Sequence, residues 1–184
     1  MGPDVVDSGY SETLYVLDLG AYFLGYYLSQ IGWVPDELGN LNPTYDIKIA
    51  KSSNLLEWRK IGKTAIPLQS GEAGVSAVSV LRVGGILHMW FSVRGASNFR
   101  IASEQAYKIG YAYSYDRVSW TRSNRFCIEA DKSLVGQDEM VCYPSVFRHR
   151  GSIFMLYNGN QFGKTGIFLA SLAEETLSNA YAEN

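Results

Sequence analysis

The sequence predicts an all-β chain of the β-propeller type, with about three four-stranded antiparallel blades, and three observations lead there. The composition is strand-like: 14% aromatic residues, with 13 Tyr and 4 Trp beside 18 Gly and only 5 Pro, suits strands joined by tight turns. The chain repeats itself at a spacing of a little more than sixty residues. Glycines fall between the paired strands of each repeat, where two-residue turns need positive φ.

The first strand pair of each repeat comes earliest. Leu14-Tyr15-Val16-Leu17 with Tyr22 to Tyr27 matches Ser79-Val80-Leu81 with Ile86 to Phe91, and both match Ser145-Val146-Phe147 with Ile153 to Tyr157. The valine recurs as Val16, Val80 and Val146, at offsets of 64 and 66. Gly20, Gly84-Gly85 and Gly151 mark the turns. A third strand follows, Tyr45 to Ala50, repeated 62 residues later as Tyr107 to Ala112 and again as Gly166 to Ser171. It runs into a shared polar turn, Ser52-Ser53-Asn54-Leu55-Leu56-Glu57-Trp58 and Ser114-Tyr115-Asp116-Arg117-Val118-Ser119-Trp120. There Asn or Asp folds onto the backbone two residues ahead and Trp anchors a fourth strand. Four antiparallel strands make one blade. The units fall at about 11–70, 71–132 and 133–173. Ser29 to Thr44 and Gly95 to Ala106 are expected as long rim loops, the places where such a scaffold holds function. A meander sandwich without repeats is the competing architecture.

Three blades do not close a ring. The third unit is expected to stop after its third strand, because Leu172 to Asn179 reads as helix-like or frayed. Residues 1–10, with Gly2-Pro3-Asp4-Val5-Val6, read as the outer strand of a preceding unit, and 174–184 as a tail. The expectation is a segment of a longer protein or a truncated product, with open flanks prone to self-association or to a partner chain that completes the propeller.

Charge removes other classes. Sixteen Lys and Arg against 18 Asp and Glu leave a net −2, without the basic excess that nucleic-acid or anionic-membrane binders need. The longest uncharged stretch, Leu19 to Pro35, is too short and too rich in Tyr, Ser and Gln to span a bilayer. Cys127 and Cys142 lack metal-ligand or disulfide-scaffold spacing, so free thiols and a cytoplasmic location are expected. His88 and His149 have no acid or Cys at ligand spacing and read as structural.

The segments Tyr107 to Asp116 with Trp120, Met140 to Phe147, Tyr157-Asn158-Gly159-Asn160 and Gly163 to Gly166 resemble five-bladed propeller proteins related to arabinanases, β-xylosidases and invertases. The resemblance covers about Gly2 to Ser171 and implies the third to fifth blades of that ring, acting on or binding poly- or oligosaccharide. It implies an inverting glycoside hydrolase without organic cofactor; an axial calcium occurs in some relatives, with no ligand cluster for it in this sequence. Departures are visible. Leu55 and Arg117 stand where the family turn carries Gly, and Ala77-Val78 replaces an Arg-Pro pair. The relatives' general base and acid-tuning carboxylate belong to two blades this chain lacks, so the chain alone is expected to be inactive. A non-catalytic carbohydrate-binding or assembly module, and an inactive gene fragment, are the alternatives.

Glycoside hydrolysis needs two carboxyl groups across the sugar ring. Glu12 lies where the relatives' third blade presents the general acid; Glu72 and the Asp138-Glu139 pair precede the next two inner strands. Glu12, Glu72 and Glu139 are therefore the catalytic candidates. Flat faces and polar donors for a sugar are offered by Arg94, Trp33, Trp90, Asp138, Tyr143, Asn158 and Asn160.

Overall fold

The computed structural model describes residues 7, 9–101 and 104–181; the expected strand Gly2 to Val6 lies outside them. The described residues form three successive antiparallel meanders. The first runs β1 (Ser11–Asp18), β2 (Phe23–Pro35), β3 (Leu41–Ser52), β4 (Arg59–Ile66), and the second β5 (Gly74–Val83), β6 (Ile86–Arg94), β7 (Lys108–Ser114), β8 (Thr121–Ile128). The third has β9 (Cys142–His149), β10 (Ser152–Asn158) and β11 (Ile167–Ala173), followed by a short helix, Glu174–Asn179. Each strand pairs with the next within its meander, and a single parallel pairing, Tyr45 with Gly74, links the first meander to the second. The architecture is all-β and propeller-like.

Alternation along the strands builds the core. Tyr26, Leu28, Ile47 and Ile49 of the first meander pack with Val80, Leu87, Met89 and Phe91 of the second. Trp90, Ile109 and Tyr111 of the second pack with Ile153, Met155 and Tyr157 of the third, joined by Leu177 and Tyr181. Successive sheets thus stack face to face and share their apolar layers.

The repeated turn is built by side chains rather than by glycine. Ser52 Oγ accepts from the Leu55 amide at 2.9 Å and Asn54 Oδ1 from the Leu56 and Glu57 amides at 3.0 and 2.9 Å. In the second copy Ser114 Oγ accepts from Arg117 N at 2.8 Å and Asp116 Oδ1 from Val118 and Ser119 N at 2.8 and 2.6 Å. These amides, Ser119 and Val118 first, hold the Asp116 carboxyl down at about 2. Leu55 and Arg117 do take positive φ, 65° and 73°. The Arg117 carbonyl accepts from Tyr26 OH at 2.8 Å, and Trp120 meets Tyr26 edge-on at 5.4 Å.

One expected loop is not a loop. From Ser29 to Thr44, β2 and β3 continue as a hairpin, with Trp33 opposite Pro43 and Pro35 opposite Leu41. Asp36 Oδ1 closes its tip by accepting from Leu38 and Asn40 N, and Gly39 supplies φ 81°. Gly32 sits at a register shift opposite Thr44, whose Oγ1 would lie 3.0 Å from any added Cβ. Gly and Pro, read as loop markers, here mark a bulge and a strand end. The described residues of the expected Gly95 to Ala106 loop form no strand or helix.

A feature the sequence did not show recurs in the inner strands. Thr13, Ala77 and Tyr143 have φ of 28°, 48° and 58°, and each lies three residues before the repeated valine. The pairing slips at each place, between Glu12 and Leu14, Ser76 and Ser79, and Leu156 and Asn158. All three inner strands therefore carry the same left-handed bulge, which costs about 1 kcal/mol or more at a non-glycine residue.

Candidate functional site

The bulges set the site. Glu12 precedes the first, exposed at the start of β1. Tyr143 occupies the third, 39% exposed, its amide donating to the buried Ser92 Oγ at 2.7 Å. Burial, and then the charge of Glu12, push the Tyr10 hydroxyl up. Tyr143 is pushed up to about 12, chiefly by burial, with the Glu12 charge contributing. The charge of Glu12 is thus felt by two phenols that stay protonated at neutral pH and keep an O–H to donate. Phe162, held at φ 59° in the turn Asn160–Gly163, stacks on Tyr143 with ring centroids 6.1 Å apart and planes 23° off parallel.

Beneath this mouth lies a layer that the sequence only half disclosed. Tyr45 and Tyr107, aligned by the repeat, meet with their hydroxyls 2.8 Å apart. Arg94 Nε donates to Tyr45 OH at 2.8 Å, Nη1 to the Gly95 carbonyl at 2.8 Å and Nη2 to the Pro43 carbonyl at 2.7 Å. Its guanidinium lies 3.9 Å from the Phe99 ring centre and 4.7 Å from that of Tyr45. Arg94 is buried, so the rim cation expected to reach a sugar is instead a strut that fixes Tyr45 and the base of the β2–β3 hairpin; a planar five-donor group serves that purpose well.

Packing corrects or reassigns other candidates. Trp90 is 2% exposed and donates Nε1–H to the Phe126 carbonyl at 3.0 Å, so it packs as core between the second and third sheets. Glu72 is clasped by Arg122, Oε2 to Nη1 at 2.7 Å and Oε1 to Nη2 at 2.6 Å, and also accepts from Gln69 N. That pair ties the 67–73 connection to β8 and engages both oxygens of Glu72 with a guanidinium. Asn160 is buried: Oδ1 accepts from Glu139 and Met140 N at 2.9 and 3.2 Å, and Nδ2 donates to Asp138 Oδ1 at 2.8 Å. Asn158 donates to the Phe162 carbonyl at 2.9 Å and so holds the turn that presents Phe162. Asp138, held below the usual carboxylate range first by Asn160, and Glu139 line a separate cleft of about 390 Å³ with Glu104, Tyr107, Glu129 and Lys132. Trp33 stays exposed on the hairpin, opposite the Pro43 whose carbonyl Arg94 holds.

Of the three catalytic candidates, Glu12 is exposed just before a bulge and its charge reaches Tyr10 and Tyr143, Glu72 is paired with Arg122, and Glu139 lines the 390 Å³ cleft. Among the described residues no three His, Cys, Asp or Glu side chains converge as a cation would need, and no helix is long and apolar enough to cross a membrane.

Asp7 was missed altogether. Its side chain is fully shielded and accepts from Tyr27 OH at 2.5 Å, Ser29 Oγ at 2.9 Å and Lys48 Nζ at 2.5 Å, with Lys60 Nζ at 3.0 Å. Burial pushes this carboxyl up, but Lys48, Tyr27, Lys60 and Ser29 together hold it well below its usual range. Nothing in the sequence around Asp7 signals this, because its partners come from three strands.

No family model matches the chain. Two curated proteins of Mycobacterium tuberculosis, one from strain CDC 1551 / Oshkosh and one from strain H37Rv and both described as uncharacterized, are 31% identical over 166 residues, 86% of this chain and 49% of theirs. The chain therefore spans about half the length of the curated relatives it matches. Among solved structures it is similar to a BT0996 RGII complex, with a TM-score of 0.68 and 18% identity over 91% of this chain and 47% of that one. It is also similar to a glycoside hydrolase at 0.67 and 18%, over the same shares. A Bombyx mori GH32 β-fructofuranosidase follows at 0.58 and 10%, over 91% of this chain and 34% of that one. The fold is that of the glycoside hydrolase propellers.

Proposed function

We propose that the Glu12 mouth handles a poly- or oligosaccharide, as part of a glycosidase-like propeller of which this chain supplies three blades. In this reading Tyr143 and Phe162 offer a flat face to a sugar ring, Tyr10 and Tyr143 donate to its hydroxyls, and Glu12 protonates the leaving oxygen as general acid. An inverting course needs a second carboxylate on the far side of the sugar, with room for water between. In this reading the base is supplied by another part of the longer polypeptide, and the chain alone binds without turnover. The observation that supports the reading is the exposed Glu12 at an inner-strand bulge, whose charge reaches Tyr10 and Tyr143, together with the stacking of Phe162 on Tyr143. The glycoside hydrolase likeness of the fold, with the BT0996 RGII complex among the similar structures, supports carbohydrate as the ligand class.

The test is calorimetric titration with a panel of neutral and acidic oligosaccharides. Tyr143→Ala should weaken binding at least about tenfold. In a polypeptide that also carries the second carboxylate, Glu12→Gln should lower turnover by about 10² to 10⁴ with KM little changed. No binding by the parent chain, or full turnover in Glu12→Gln, defeats the proposal. A binding module is the second reading, favoured by the engagement of Glu72 with Arg122; sugar affinity without turnover in the longer polypeptide would select it.

A further inference from the structure

The three sheets differ at one buried pair. Leu17 lies opposite Leu24, Leu81 opposite His88 and Phe147 opposite Phe154, each just past the repeated valine, so Leu24, His88 and Phe154 are equivalent. Two positions along the same strands, Tyr26 faces Ile49, Trp90 faces Tyr111 and Leu156 faces Leu169, which makes Ile49, Tyr111 and Leu169 equivalent as well. The first and third sheets hold apolar side chains at both places. The second buries an imidazole and a phenol there, with His88 Nδ1 2.6 Å from Tyr111 OH. Packing does not require that exchange, because a buried polar group costs free energy unless all its bonds are made.

Here they are not all made. His88 Nε2 and the Tyr181 hydroxyl are buried without a hydrogen-bond partner, and their rings are 5.7 Å apart. The Val83 carbonyl is near His88 and the Tyr111 hydroxyl near Tyr181, but neither is aligned to bond these two atoms. Both residues border a cavity of about 490 Å³ at the β5–β6 turn, where Gly84-Gly85, Ile86 and Tyr115 complete the wall. Aromatic rings run along it: Tyr115 meets Tyr113 edge-on at 5.7 Å, and Tyr113 lies 4.3 Å from Tyr181. Among the described residues that line it none is charged at neutral pH, since burial holds His88 down to about 4. The volume suits a small molecule, whereas a single water takes about 30 Å³.

We propose that this cavity binds an uncharged aromatic ring carrying a hydroxyl group, a phenol, with the ring against Tyr115 and Tyr181 and the hydroxyl on His88 Nε2. Flat apolar walls select a flat ring, and an uncharged lining selects an uncharged one. A hydroxyl both donates and accepts, so it pairs with Nε2 in either tautomer and leaves a bond for Tyr181 OH. A sugar brings more hydroxyls than two buried atoms can satisfy. Both atoms lie behind the cavity wall, and the hydroxyl reaches them as the Tyr181 side chain, just beyond the short helix Glu174–Asn179, turns aside. The cavity stands at the opposite end of β5 from the Ala77 bulge, so this inference and the carbohydrate reading fail separately.

The probe is 2-naphthol, uncharged at pH 7, titrated into the chain and followed by its fluorescence and by proton NMR of the imidazoles. The His88 Cε1–H resonance should shift and saturate at submillimolar 2-naphthol while that of His149, the other of the two histidines, stays in place. Naphthalene, the same ring without the hydroxyl, should bind at least about tenfold more weakly. His88→Leu, which installs the first sheet's side chain, should weaken 2-naphthol by a similar factor, and Tyr181→Phe by about threefold or more. The comparison of the two ligands uses the unaltered chain and decides the matter even if a variant fails to fold. A His88 resonance unmoved by millimolar 2-naphthol overturns the proposal and leaves water as the occupant; so does naphthalene binding equally well. A methyl glucopyranoside that shifts His88 as strongly overturns the aromatic class.

Discussion

Replacing Ala77 by glycine should not destabilise the protein, although the same change in an ordinary strand does. Ala77 sits in β5 at φ 48° and is half-buried. Holding an L-residue there costs about 1 to 2 kcal/mol, which glycine relieves. Glycine's greater freedom in the unfolded chain opposes this by about 0.4 to 1 kcal/mol. The net for Ala77→Gly is therefore a gain of about 0 to 1.6 kcal/mol. Ala170 is the control: it is also a half-buried strand alanine, packed against the second core layer, and φ there is negative. With no strain to relieve, Ala170→Gly should lose about 1 kcal/mol through backbone entropy and the lost methyl contacts. Urea unfolding followed by tryptophan fluorescence reads both as shifts in midpoint at constant slope. The two variants should differ by roughly 1 to 2.6 kcal/mol, in opposite directions from the parent. Equal losses would mean that β5 has no left-handed bulge, and the matching bulge that places Glu12 would lose its support.

Two pH dependences follow from buried groups. The folded-state pKa of Asp7 is depressed, so its contribution is present above the unfolded carboxylate value of about 4 and is lost as pH falls below it. Asp7→Asn should flatten that acid limb and, by setting a neutral amide against Lys48 and Lys60, cost about 3 kcal/mol at pH 7 in urea unfolding; an unchanged acid limb would show that Asp7 is not ion-paired. His88 is held down to about 4 by burial, its Nδ1 2.6 Å from Tyr111 OH. Here the unfolded chain binds the proton first, so stability is complete above about pH 6.5 and declines as pH falls toward 4. Proton NMR should find His88 still neutral at pH 5.5, and a ring titrating near 6.5 in the folded protein would refute its enclosure.

The repeat made the fold legible because the elements that specify a meander are local. Ser-x-Asn/Asp at the turn, Trp shortly after it and Val in the inner strand each act through near neighbours or one packed layer. The hairpin of 29–44 was not legible, since Gly32 and Pro43 have the same letters in a loop as in a bulge and only the facing residue tells them apart. Side-chain roles failed where the decisive partner is remote. Arg94 was expected at the rim from its place at a strand exit, but Pro43, 51 residues away, and Phe99 enclose it. Asp7 draws on Ser29, Lys48 and Lys60, and no spacing rule connects them.

The bulge explains why the mouth itself was only partly readable. A left-handed residue usually advertises itself as glycine or asparagine, yet Thr13, Ala77 and Tyr143 fill the three positions here. The backbone device is common to the three inner strands, whereas the residue before it changes from Glu12 to Ser76 to Cys142. The strain is maintained by packing around each inner strand, while the side chain before the bulge differs in burial as well as in identity. Ser76 is 6% and Cys142 0% exposed, so a carboxylate introduced at either would be enclosed and costly unless paired, and of the three inner strands β1 alone presents an exposed acid before its bulge.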